Sequence, residues 1–263
     1  MTFVRRHVLT AYSALALGYL FLPIAIVILF SFNNPAGRFN YTWQGFSLRS
    51  WENPFGVPGL LDAMKVSLEI AALSSLVATA FGTLIALALV RYGFRGRGLV
   101  NTLIFMPMTT PEIVMGASLL ALFLNLGVAT GFGTILIAHI AFNISYVVVT
   151  VKARLAGFDR HLEEAAMDLG ANEWVTFARV TLPLIAPGIL AAGLLAFALS
   201  VDDFVITAFN AGTTVTFPLY VYGAARVGVP PQVNVVGTII FVTAVGLMLA
   251  NVVFQRRRAL KGA

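Results

Sequence analysis

Apolar residues run along the chain in six long, nearly uninterrupted blocks: Val8–Phe30, Ser67–Val90, Val100–Leu124, Phe132–Val151, Pro187–Phe209 and Val233–Phe254. A helix needs about 20 mainly apolar residues to cross roughly 30 Å of hydrocarbon, and each block reaches that length. Polar, charged or Gly/Pro-rich segments separate the blocks, most briefly between the third and fourth, where Asn125 to Gly131 form the whole connection. The pattern predicts an all-α membrane protein of about six transmembrane helices, a single membrane domain over residues 1–263. The first block is read as a retained span. It is longer than the roughly 7–15-residue apolar core of a signal peptide, contains Pro23, and ends in Ser31-Phe32-Asn33-Asn34 instead of a small-residue cleavage site.

Composition agrees. Of 263 residues, 59% are hydrophobic and 11% charged, against roughly 25% charged in a soluble globular protein. Mean hydropathy is +0.90. Such a chain cannot cover a water-facing surface, so lipid is its solvent. The net charge of +6 does not point to nucleic acid, because the basic residues gather at block ends and form no stripe. With the N-terminus in the cytoplasm, the inner segments hold Arg5, Arg6, Arg91, Arg95, Arg97, Lys152, Arg154, Arg160, Arg179, Arg256, Arg257, Arg258 and Lys261. The outer segments hold Arg38, Arg49, Lys65 and Arg226. Thirteen of the 17 basic residues thus lie inside, and both termini are expected to be cytoplasmic. There is no cysteine, and His7, His139 and His161 lack a metal-binding spacing, so no metal is expected. No G-x-x-x-x-G-K-[ST] loop occurs, so the chain is not expected to bind ATP by that route. No internal repeat suggests the inverted halves of many secondary transporters.

The most charged stretch is the loop from Lys152 to Leu184. Over residues 162–183 it reads as two short helices. The first, from about Leu162 to Leu169, is stopped at Gly170, which tolerates the left-handed conformation. Asn172 caps the second, Trp174, Phe177 and Ala178 form its apolar face, and Pro183 is expected to end it before the next span. This knob suits insertion into a groove on a partner. The competing placement, flat on the lipid headgroups, fits poorly with the acidic face of Glu163, Glu164, Asp168 and Glu173, since the inner leaflet is negatively charged.

Here the residues resemble a known family. The motif E-A-A-x3-G-x9-I-x-L-P marks the permease subunits of binding-protein-dependent ABC importers. Glu164, Ala165, Ala166 and Gly170 match it, Val180 stands for the isoleucine, and Leu182 and Pro183 close it. The resemblance implies a type I ABC importer permease fold, with this segment as the coupling helix that docks into an ATPase subunit. It also implies a second, homologous permease subunit, two ATPase copies that bind ATP and magnesium, an external substrate-binding protein, and a bacterial cytoplasmic (inner) membrane. No cofactor and no catalytic residue are then expected in this chain. Over nearly its whole length the chain further resembles C-type permeases of spermidine/putrescine importers. Matching stretches include Trp43-Gln44-Gly45-Phe46, Arg91-Tyr92-Gly93-Phe94-Arg95-Gly96, Pro111-Glu112-Ile113-Val114-Met115 and Asp202-Asp203-Phe204-Val205. Permeases for opines, ferric iron and other small solutes share parts of them, so those cargoes remain alternatives.

Charges inside spans are costly and mark pathways or sites. The four within the apolar blocks are all acidic: Glu69, Glu112, Asp202 and Asp203. Lys65 stands four residues before Glu69, within i,i+4 reach. Glu112 follows Pro107 and Pro111, where a disrupted helix is expected to line protein or a water-filled cavity. Carboxylates along a pathway favour a cation, and Phe142, Tyr146, Phe204 and Phe209 offer cation–π contacts of about 0.5–2 kcal/mol each. A structural role competes for the aspartates. About fifteen residues into the fifth block they stand roughly 22 Å up, where water or the partner permease can satisfy them. His139 and Asn143, one turn apart on the fourth block, are expected to hydrogen-bond between helices. A proton-coupled secondary transporter using these acids is the competing mechanism, but it leaves the coupling motif without a purpose.

Overall fold

The computed structural model describes the backbone of residues 2–37 and 39–261 and the side chains of 7–37, 39–246 and 249. The side chains of Arg5, Arg6, Arg38, Arg256, Arg257, Arg258 and Lys261, and those of most of the last two turns of the sixth expected span, lie outside the described residues. The described chain is all-helical apart from one isolated bridge, Asn33 with Phe46. The helices are α1 (Thr2–Phe30), α2 (Arg49–Glu52), α3 (Leu60–Arg91), α4 (Arg97–Thr109), α5 (Glu112–Asn125), α6 (Phe132–Ala156), α7 (His161–Asp168), α8 (Glu173–Thr176), α9 (Leu182–Asp202), α10 (Val205–Asn210), α11 (Phe217–Val227) and α12 (Pro231–Lys261). Among the described residues, four helical runs are long and apolar enough to cross a membrane, or five if the bent pair α4–α5 counts as one crossing. A shorter apolar stretch, Pro231–Gly246, opens α12.

The chain forms two compact units, Met1–Leu61 with Val221–Ala263, and Asp62–Tyr220. In the first, α1 packs along α12, yet its apolar window has no buried residue. A helix that is apolar and uncovered in this way is one solvated by lipid or by another membrane helix. The segment after α1 is built around Asn33. Its amide donates to Asn40 Oδ1 (2.6 Å) and the Thr42 carbonyl (2.8 Å), and its oxygen accepts from the Gln44 N–H (2.8 Å). Phe32 stacks between Phe46 and Trp51, with centroids 5.6 and 5.2 Å away.

The second unit centres on α3, α6 and α9. Ala78, Ala86, Val147, Val148, Val151, Ile185, Ala192 and Ala196 are all completely buried in its core. Small residues let these helices approach closely, which is how helices associate where lipid removes the hydrophobic drive. At Gly82 an added Cβ would lie 2.6 Å from a Val147 methyl, so α3 and α6 can touch only because a glycine stands there.

Two expected spans are not single rods. The third breaks at Thr110-Pro111, and α4 and α5 meet at 109°. Pro111 lacks a donor, and Thr110 folds its hydroxyl back onto the Met106 carbonyl at 2.7 Å, so the chain leaves α4 and restarts. The fifth corrects the expected boundaries 187–209. Helix runs without interruption over Glu173–Asp202, breaks at Asp203, and resumes as α10. Pro183 therefore does not end the second helix of the knob. Between α8 and α9 the residues Phe177–Thr181 form a wide π turn, in which the Leu182 N–H reaches back five residues to the Phe177 carbonyl. Pro183 then falls directly after the wide turn, at the start of α9, where the backbone bonds have already left the i→i−4 pattern.

Candidate functional site

The knob over 162–183 folds largely as its residues dictate. The Asp159 carboxylate accepts the His161 N–H at 3.0 Å and starts α7. At the other end the Gly170 N–H bonds the Met167 carbonyl (2.9 Å) and the Ala171 N–H bonds the Ala166 carbonyl (3.1 Å), the paired closure of a Schellman motif. Gly170 has φ +88°, a left-handed position where a side chain is strained. Asn172 then caps α8, its side-chain oxygen accepting the Val175 N–H at 2.9 Å. No residue of α7 is buried, so Glu164 and Ala165 face outward, as do Leu182 and Pro183 at the start of α9, while Ala166 is half-covered.

Two parts of the expected knob surface are rearranged. Its apolar face is not Trp174, Phe177 and Ala178. Phe177 packs against the core of the second unit, and the residues left bare are Leu169 (90% exposed), Trp174 (82%), Leu162 and Met167. The π turn causes this, because it changes the angular spacing beyond α8 from that of an α-helix. Nor is the acidic face intact. Glu163 turns inward and pairs with Arg91, the last residue of α3, while accepting the Thr181 hydroxyl. Glu164 stays outside, 3.0 Å from His161 Nδ1. That bond, with the charges of Asp159 and Glu164, raises the His161 pKa above its ordinary value.

The intramembrane acids fall at three places. Glu112 opens α5 at the 109° break and is exposed. Tyr146 lies on α6 with its ring centroid 4.8 Å from that of Phe142. Asp202 and Asp203 sit where α9 breaks. Asp202 is exposed, whereas the Asp203 side chain is 5% exposed. Asp203 Oδ2 accepts the Thr207 N–H (2.8 Å) and hydroxyl (2.8 Å), capping α10, and lies 3.2 Å from His139 Nε2. His139 Nδ1 is 2.6 Å from Ser200 Oγ, which accepts from Ser74 at 3.1 Å. Phe204, half-buried, occupies the break itself. Glu69 is alone of the four on α3, exposed, and not ion-paired with Lys65 among the described residues. His139 thus bonds between helices as its position suggested, but Asn143, fully buried, has no partner for either polar atom among the described residues. The roles of Glu163 and Asp203 were not readable locally, since their partners Arg91 and His139 stand 72 and 64 residues away.

Interrupted apolar helices of this kind, with carboxylates at the breaks, fit the expected membrane permease. The chain belongs to the family of binding-protein-dependent transport system inner membrane components, which it matches over residues 78–259. It is 42% identical over 240 residues to the spermidine/putrescine transport system permease protein PotC of Escherichia coli (strain K12), covering 91% of this chain and 90% of that one. To the putrescine transport system permease protein PotI of the same strain it is 39% identical over 244 residues, covering 89% and 86%. Its fold is that of a chain in a bacterial ABC transporter involved in the import of the acidic polysaccharide alginate, with a TM-score of 0.71 at 16% identity over 97% of this chain and 96% of that one. The family expected from the motif between Glu164 and Pro183 is borne out.

Proposed function

We propose that this chain is a permease subunit of an ATP-driven importer that moves polyamines across a bacterial cytoplasmic membrane by alternating access. The observation that carries the cargo is the 42% identity, over nine-tenths of the chain, to a permease named for spermidine and putrescine. The chemistry of the chain fits that cargo: every charged residue within the apolar blocks is a carboxylate, and Glu69, Glu112 and Asp202 are exposed. In this reading the chain crosses six times with both termini inside, pairs with a homologous permease, and receives cargo from an external binding protein. Two ATPase subunits hold ATP and magnesium. Leu169 and Trp174 enter a groove on one of them, and Glu164, Ala165, Ala166 and Gly170 shape that contact. ATP closes the ATPase pair, the knob follows, and the spans rock outward-open. Product release resets them. Glu112, Asp202 and Glu69 line the cation's path with Tyr146 and Phe204, and Asp203 holds the break beside them.

Competitive uptake in cells with the complete transporter tests the cargo. Labelled putrescine and spermidine should be taken up and should not be displaced by ferric iron or opine-type solutes. An intact complex without polyamine uptake would sink the claim. Leu169→Asp or Trp174→Asp should strip the ATPase on purification without lowering the amount of permease in the membrane, because both side chains are bare. Full retention of the ATPase in both variants would refute the docking surface.

A further inference from the structure

We infer that Glu163, Arg91 and Thr181 form a clamp that makes the knob move as one body with α3 and α9, and that Glu163 is a positioning residue for energy coupling. The inference rests on the knob being the ATPase contact. Its own basis is the geometry around one carboxylate. Glu163 Oε1 accepts from the Arg91 guanidinium and from the Thr181 hydroxyl, and Arg91 donates also to Thr181 Oγ1 at 3.2 Å. Three elements therefore meet at one oxygen: the last residue of α3, the first turn of α7 and the last residue of the π turn. The cluster is shielded, with side-chain exposure of 29% for Arg91 and 16% for Glu163, and Thr181 is completely buried. Beside it the Arg160 guanidinium donates to the Val90 carbonyl at 3.0 Å, a second tie from the knob to the end of α3.

The π turn makes this arrangement possible. One extra residue in a helix rotates all that follows by about 100°, and Thr181 is the residue brought inward. A π turn is rare, occurs mostly as a single turn inside an α-helix, and is frequent at functional sites. Here it joins a bare docking helix to a membrane-crossing one without a loop, so displacement is not lost in slack. α3 has no such covalent continuity with the knob. Its ties run through Arg91 and the Val90 carbonyl, and removing one partner strands a half-buried charge. Glu163 is thus the point through which the knob engages the second expected span as well as the fifth.

The test uses the complete transporter in proteoliposomes and reads polyamine uptake per ATP hydrolysed. Glu163→Gln should assemble with its full set of subunits and hydrolyse ATP, while uptake per ATP falls about tenfold, within the range of coupling energies between sites. The double variant Arg91→Glu with Glu163→Arg should recover most of it, which assigns the loss to the pair, while intact assembly and ATP hydrolysis in Glu163→Gln separate coupling from folding. Normal uptake per ATP in Glu163→Gln overturns the clamp. Should that variant fail to assemble, the absence of cysteine from the chain allows a second route. Arg91→Cys with Glu163→Cys, joined by a short bis-thiosulfonate linker, should transport when linked and lose coupling when reduced; transport only when reduced overturns the clamp. Failure of the docking reading is separate, because it appears as ATPase retained by Leu169→Asp and Trp174→Asp.

Discussion

His139 Nε2 lies 3.2 Å from Asp203 Oδ2, tying α6 to the break that follows α9 across 64 residues of sequence. The same carboxylate caps α10 through the Thr207 N–H. Asp203 therefore does two jobs that separate by mutation. Asparagine is as good a cap as aspartate, whereas alanine removes a cap worth about 0.5–2 kcal/mol. Asp203→Ala should lower the melting temperature of the purified complex more than Asp203→Asn does. Equal losses would show that the cap contributes nothing and that the pairing with His139 is what matters.

Much of this was legible along the chain, and what was not has a common cause. The helical character of the apolar blocks, the stop at Gly170 and the cap at Asn172 follow from local rules, and the stop and the cap stand in the structure at those residues. Length and hydropathy cannot say that the third block turns through 109°, because Pro111 permits a break without setting its angle. Proline statistics expected Pro183 to end a helix, whereas the π turn before it absorbs the misfit. Glu163 and Asp203 looked like members of a solvated face and a pathway. Arg91 and His139, distant in sequence, also bond them, and such partners leave no trace in periodicity.

Gly170 closes α7 at φ +88° with open space around its Cβ position, so a side chain there meets strain and no clash. A left-handed backbone costs an ordinary residue about 1–2 kcal/mol. Gly170→Ala should loosen the turn, speeding amide hydrogen exchange over α7 and α8 and weakening ATPase retention. Gly170→Asn should do so less, since asparagine tolerates this conformation. Identical behaviour of the two variants would remove backbone strain as the cause.

Hydrogen bonding to Glu164, then the charges of Asp159 and Glu164, raise the His161 pKa. The protonated imidazole is thus favoured in the folded knob. Its contribution is complete below the unfolded value, ordinarily about 6.5, and disappears as pH rises through the raised folded value. Protection factors over α7, corrected for the base-catalysed intrinsic exchange rate, should fall across that window, and His161→Gln should flatten the dependence. An NMR titration reads the cause directly: Glu164→Gln should bring the His161 midpoint down toward the ordinary value. An unmoved midpoint would mean that Glu164 does not hold the imidazole in solution.

Glu112 begins α5 where the chain restarts after Pro111, exposed at the 109° break. A carboxylate in a helix's first turn is favoured by the helix dipole, by about 0.3–1 kcal/mol, so a purely local role is available to it. Attraction for a passing cation is the alternative, worth about 4 kcal/mol at 4 Å near a protein surface before water screens it. The two separate in kinetics. If Glu112 meets the cation, Glu112→Gln should raise the KM for polyamine by roughly fivefold, about 1 kcal/mol after screening, with assembly unchanged and with Glu112→Asp largely normal. If it serves the helix start alone, KM should stay fixed while the melting temperature falls. Uptake measured against polyamine concentration, beside a thermal melt of the same preparations, decides between them.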